Sequence, residues 1–186
     1  TCSGAVIYTS TVALAAGSAN SGNFAPTAPG VYRWTASYGG DANYNAVSHP
    51  CNAPNESTTV NQAAPSIATV ASAGGPLGTT QISDTATVSG GLNPTGTVTF
   101  NLYGPNDASC SGTVIFTATA ALAGGTANSG SFTPTQVGVY RWTATYSGDT
   151  NNAAVSHPCN APNESATITP GTLTLVTQTT PTVALG

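Results

Sequence analysis

The sequence predicts an all-β chain folded as antiparallel β-sandwiches, and three observations predict it. The stretch GVYRWTASYGGD at residues 30–41 returns as GVYRWTATYSGD at residues 138–149. In both copies large aromatics alternate with small or polar residues: Tyr32, Trp34 and Tyr38 in one, Tyr140, Trp142 and Tyr146 in the other. A period of two places the aromatics on one face of a strand. Further short alternating runs, separated by Gly, Pro, Asn and Asp, fill the rest of the chain, and no segment carries a helical period of 3.6.

The repeat extends well beyond that strand. Cys2 aligns with Cys110, Trp34 with Trp142, His49 with His157 and Cys51 with Cys159, at one period of 108 residues (110 − 2). Self-similarity at a fixed period is the mark of a tandem array. The period divides the chain into residues 1–64, the C-terminal part of a repeat; residues 65–170, a complete repeat; and residues 171–186, the first strand of a following one. The chain is expected to be a processed product or a window of a longer polypeptide. Residues 61–65 and 169–171 are the joints, and joints that short hold neighbouring repeats close.

The complete repeat reads as about seven strands in order. Residues 66–71 form a short first strand. Residues 82–89 send Ile82, Asp84, Ala86 and Val88 to one side. After the turn Asn93-Pro94-Thr95-Gly96, residues 97–103 direct Val98, Phe100 and Leu102 inward. Gly104-Pro105-Asn106-Asp107 ends that strand. Residues 113–121 put Val114, Phe116 and Ala118 on the inner face, and Gly124-Gly125 turns the chain. Residues 127–133 form a fifth strand around Phe132. The aromatic strand, 138–146, is the sixth, and 164–169 the seventh. Such a count, with turns every 8–15 residues, suits two packed antiparallel sheets.

Composition narrows the function. Charged residues are 4% of the 186 residues, against roughly 25% in ordinary soluble proteins. The net charge is −4, with two arginines and no lysine; nucleic acid, whose phosphates call for many cations, is excluded as a partner. No apolar run is long enough to span a bilayer. Four cysteines, two in each copy, indicate disulfides and an extracellular compartment. Cys2–Cys51 and Cys110–Cys159 are the expected pairs. The rival reading, zinc on His157 and Cys159, lacks two further ligands within the repeat.

Other constellations have a structural and a functional reading. Trp34 and Trp142 are core residues by their inward alternation, or else a platform for sugars. Tyr32 and Tyr140, two residues before them, belong to the same structural core, and Tyr140 has the placement of a tyrosine corner, its hydroxyl bonding backbone upstream. Asp149 with Asn151 and Asn152, like Asp41 with Asn43, caps a turn or offers oxygens to calcium; a single carboxylate is thin for a cation that takes 6–8 oxygens. Arg141 and Arg33 are expected to meet Glu164 and Glu56 across neighbouring strands. Asn55-Glu56-Ser57 and Asn163-Glu164-Ser165 fit the N-glycan acceptor pattern, and O-glycans on the Ser/Thr-rich surface would keep so uncharged a chain in solution. The serines lack a base with an orienting partner, phosphate-binding glycine motifs are absent, and without lysine no lysine–asparagine isopeptide bond can form. No catalytic residue, metal or cofactor is assigned.

Leu102-Tyr103-Gly104-Pro105, Cys110-Ser111-Gly112, Ser129 to Thr135, Gly138 to Trp142, Tyr146 to Asp149, Cys159 and Glu164-Ser165 together resemble the bacterial Ig-like domain repeats of large secreted and cell-surface proteins. The resemblance implies tandem immunoglobulin-like sandwiches acting as stalks, spacers, adhesins or fibre subunits, and no catalytic residues. The expected function is that of a structural extracellular protein, a segment of a surface fibre, filament or stalk. Its expected partners are neighbouring Ig-like repeats or copies of the same chain. The alternative is an adhesin, a binding module holding a glycan or a protein on its loops.

Overall fold

A computed structural model of the chain describes residues 2–179. Among these residues there is no helix; the secondary structure is entirely β. In chain order the strands are β1 (Gly30–Arg33), β2 (Ala36–Tyr38), β3 (Val47–His49), β4 (Ser57–Val60), β5 (Ser66–Ala71), β6 (Gly75–Pro76), β7 (Asp84–Ser89), β8 (Thr97–Tyr103), β9 (Val114–Ala121), β10 (Thr126–Asn128), β11 (Gly138–Tyr146), β12 (Val155–His157) and β13 (Ser165–Thr169).

Residues 65–170 hold the core. One sheet runs β10-β7-β5. The other runs β6-β13-β11-β8-β9, with β12 also on β11. All pairs are antiparallel except β13 with β6. Alternation decides what goes inward. On β7 Asp84, Ala86 and Val88 are buried, and on β8 Val98, Phe100 and Leu102. On β11 Tyr140, Trp142, Ala144 and Tyr146 are buried. The apolar ones come from both sheets and form one cluster with Ile67, Ile82, Ala166 and Ile168. Val114 departs from the expectation and is exposed: it lies at the far end of β9, beside the irregularity at Leu102/Tyr103.

Tyr140 donates its hydroxyl to the Gln136 carbonyl at 3.0 Å, and Tyr32 repeats the bond to Ala28 at 2.7 Å. Disulfides join Cys110 to Cys159 and Cys2 to Cys51, with Cα–Cα distances of 6.0 and 5.9 Å. Each spans 49 residues. The cysteines are thereby consumed, which leaves no thiolate for the zinc reading. Gly148, at φ +70°, has no room for a side chain: an added Cβ would sit 2.8 Å from the Asn152 carbonyl oxygen and the Ala154 nitrogen. Gly40, at φ +82°, has the same contacts with Tyr44 and Ala46. The turn after the aromatic strand is thus built alike in both copies.

Residues 2–64 differ sharply. They contain β1 paired with β4 and β2 paired with β3, and no counterpart of β5, β7 or β8. Tyr32 and Trp34, expected in the structural core, are only half-buried, whereas Tyr140 and Trp142 are 1% and 0% exposed. The cause is the missing facing sheet together with the missing counterpart of β8, which flanks β11 in its own sheet.

The chain enters and leaves the complete unit at opposite ends. At the way in, the Ala63 amide bonds the Asn151 carbonyl (2.8 Å), the Ala153 amide bonds the Ala63 carbonyl (2.9 Å), and the Gln62 side chain reaches the Asp149 carbonyl (2.8 Å). At the way out, Ile168 and Thr169 lie beside Gly75 and Pro76, and Ile168 pairs with Gly138, at the far end of β11 from Tyr146.

Candidate functional site

The main polar concentration in the complete unit lies inside it. β5 alternates, so Thr69 points inward behind Ile67. Asp84 opens β7, and its backbone is fixed by Ser129: the Ser129 amide donates to the Asp84 carbonyl (2.9 Å), and the Asp84 amide donates to the Ser129 hydroxyl (2.8 Å). His157 ends β12. Glu164 immediately precedes β13, held by the bond from the Trp142 amide to its carbonyl (2.9 Å). Four elements therefore bring Thr69, Asp84, His157 and Glu164 together.

The Thr69 hydroxyl is shared. Its Oγ1 lies 2.7 Å from His157 Nδ1 and bonds Glu164 Oε1. His157 Nδ1 is 3.4 Å from the same carboxylate oxygen. Glu164 Oε2 and both oxygens of Asp84 are buried without a hydrogen-bond partner. Buried carboxylates in that condition favour the neutral form. Loss of water raises the Asp84 pKa to about 7, and the neighbouring Glu164 charge adds to the shift. The Thr85 and Val70 amides and His157 oppose it only in part. Glu164 is likewise raised by burial, with the Thr69 hydroxyl pulling against it.

Glu164 is thus committed inward, and the expected Arg141–Glu164 pair does not form. Arg141 Nε instead donates to Asn160 Oδ1 at 2.7 Å, and Arg33 repeats this with Asn52 at 2.7 Å while Glu56 faces His49. The reason is parity: Arg141 lies across from Ser165, so its neighbour Glu164 points to the opposite face.

Asp149 organises the loop beside the way in. Its carboxylate accepts bonds from the Thr95 amide (2.7 Å) and hydroxyl (3.0 Å), the Tyr146 hydroxyl (3.0 Å) and the Asn151 and Asn152 amides (2.8 and 2.9 Å). Those donors, led by the Thr95 amide, hold its pKa far below the usual carboxylate range. Its oxygens are therefore already engaged by the turn. Asp41 is engaged in the same way by Tyr38, Asn43 and Tyr44.

The second feature is the open face of residues 2–64. A groove of about 400 Å³ runs along Tyr8, Phe24, Tyr32 and Trp34. Its ring geometry duplicates the closed core. Tyr8 meets Trp34 edge-on at 5.8 Å, as Phe116 meets Trp142 at 5.9 Å. Phe24 meets Tyr32 at 5.8 Å, as Phe132 meets Tyr140 at 6.2 Å. His49 and Glu56 also keep their approach, 3.6 Å, but with side chains 48% and 33% exposed against 16% and 1% for His157 and Glu164. What is missing there is a threonine and the sheet that carries it.

No family model, curated protein or solved structure matches the chain. The geometry therefore stands by itself. Sequence reasoning anticipated the two cysteine pairs, the burial of Tyr140 and Trp142 and the Asp149 turn, but not the partial exposure of Tyr32 and Trp34 and not the cluster of Thr69, Asp84, His157 and Glu164. Two signals pointed to it: a carboxylate among the inward residues of strand 82–89, and a His-to-Glu spacing kept in both copies.

Proposed function

We propose that the chain is a structural extracellular protein, a segment of a bacterial surface fibre, filament or stalk built from tandem, disulfide-stabilised Ig-like β-sandwich domains. The observation that carries this reading is the open face of residues 2–64. It reproduces the aromatic arrangement of a closed core ring by ring and lacks the covering sheet and the β8 strand beside it. An apolar face of that kind calls for a partner, and its likeness to residues 109–168 favours the first strands of another repeat. The exposed segment 171–179 offers such a strand. Advanced by one period, Leu175 and Thr177 take the places of the inward Ile67 and Thr69, and Leu175 is 89% exposed. Entry and exit of the chain at opposite poles of the unit, at Ala63 and Thr169, suit an array that extends in one direction. The two disulfides suit an oxidising compartment, and among the described residues no helix is long and apolar enough to cross a membrane.

The adhesin reading draws on the same groove, since a trough lined by Tyr8 and Trp34 would accept a sugar face. The copy weighs against it: the corresponding Phe116 and Trp142 are packed against the unit's own core. One experiment separates the two. A second copy of residues 65–108 is fused ahead of Thr1, in a Trp142→Phe background so that Trp34 alone reports. A repeat array predicts a blue shift of Trp34 emission and an elongated particle in small-angle scattering. Emission that stays solvent-exposed, or oligosaccharide binding that survives the fusion, would sink the structural reading.

A further inference from the structure

The cluster between the first and last strands of the complete unit is arranged for a reaction. A hydroxyl nucleophile, an imidazole and a carboxyl group meet in a site that reaches solvent only past the imidazole, with a second carboxyl alongside. We propose that Thr69 and Glu164 become joined by an ester that the folded chain forms itself, with His157 accepting the threonine proton, so that β5 and the start of β13 are covalently tied.

The placement answers each requirement of acyl transfer. The nucleophile is Thr69 Oγ1, which already contacts both its base, His157 Nδ1 at 2.7 Å, and the carboxyl it would attack. Groups held in such contact react as though at very high concentration. The electrophile must be a neutral acid, because a carboxylate repels nucleophiles; Glu164 is 1% exposed, its Oε2 has no partner, and burial raises its pKa. Asp84 is fully buried, with both oxygens unpartnered. The burial that raises its pKa favours its protonated form, which can donate to an oxygen on which negative charge develops nearby.

The step balances without any co-reactant. As the Thr69 proton passes to His157, a bond forms between Oγ1 and the Glu164 carboxyl carbon. The tetrahedral intermediate takes the proton back from His157 onto its hydroxyl and expels it as water. One C–O bond forms, one C–OH bond breaks, one water leaves, and His157 and Asp84 end as they began. His157, with a side chain 16% exposed, is the member of the cluster that borders solvent and the route by which water leaves. Nothing is turned over: the reaction happens once per unit. It does not depend on the fibre reading, since both reacting groups lie within residues 65–170.

Residues 2–64 supply an internal control. They keep His49 and Glu56 but have no threonine between them. The intact chain should therefore lose one water, not two.

The test is the mass of the full chain, reduced and denatured. The expected result is a mass one water below that of the sequence, a digest in which the peptide holding Thr69 is linked to that holding Glu164, and release of the link by hydroxylamine, which cleaves esters and spares amides. Thr69→Val should restore the full mass. His157→Ala, which keeps both reacting groups, should slow the loss at least tenfold. A wild-type chain that retains its full mass after prolonged incubation in the folded state overturns the proposal, and so does a loss of water that persists in Thr69→Val. Those results would leave the cluster as a hydrogen-bonded contact between strands and nothing more.

Discussion

Asp84→Asn isolates the energetic consequence of burying a carboxyl without partners. In the folded chain the Asp84 pKa rises from 3.8 to about 7, chiefly through desolvation. The folded state thus holds this proton more tightly than the unfolded chain does. A raised carboxyl pKa makes the group's contribution greatest below the unfolded value of 3.8 and removes it as pH rises through the folded value. Each tenfold change in proton affinity is worth about 1.4 kcal/mol, so the shift amounts to a loss of about 4 kcal/mol across that window. The sign is opposite to that of Asp41, Asp107 and Asp149, whose lowered pKa values make their contribution disappear on the acid side, below 3.8. Asparagine has the shape of the protonated acid and does not titrate. Urea unfolding followed by far-UV circular dichroism, from about pH 4 to about pH 8, should show the wild-type midpoint falling with pH and the variant's midpoint nearly level. Parallel curves for the two chains would refute the reasoning. Because desolvation leads the shift, the slope should survive even where Glu164 has lost its charge to an ester.

Trp142→Ala should cost about 3–5 kcal/mol, measured by urea unfolding, whereas Trp34→Ala should cost much less in the same chain because Trp34 is half-buried; equal losses would show that the open face is covered. Replacing Cys110 and Cys159 together by serine should remove roughly 4 kcal/mol, by the chain-entropy argument for a loop of this length, and thiol labelling of the unfolded, unreduced wild type should find no free cysteine.

Different parts of the fold were legible to different degrees, for physical reasons. Strands 97–103 and 138–146 agree with β8 and β11 to the residue, because large apolar side chains alternate strictly there between strong turn residues. The fifth strand, expected over 127–133, pairs only at Thr126–Asn128. Gly130, at φ +73°, bends the chain away, and Phe132 returns to the sheet through a single bridge to Ile82. β6 and β12 were not anticipated: a two-residue parallel pairing at Gly75–Pro76 and a Val-Ser-His strand carry too little pattern. The polar cluster was hidden for a related reason. Period-two alternation exposes Asp84 as inward-facing, but His157 and Glu164 lie among Pro and Asn residues that signal turns, and which way a turn residue points depends on tertiary packing. The arginine partners failed on parity alone, since adjacent residues of one strand face opposite ways.

The Cys110–Cys159 bond has a mechanical consequence. Tension on an array would reach this unit through residues 65 and 170, at its two ends. Even a fully unravelled unit could not extend the 49 residues closed off by the disulfide. At 3.3–3.6 Å per residue, that withholds roughly 160–175 Å of contour length. Without the Thr69–Glu164 ester, a stretched repeat would yield little more than half of its chain and then stop, held by the disulfide; with the ester, the whole of residues 69–164 would stay closed.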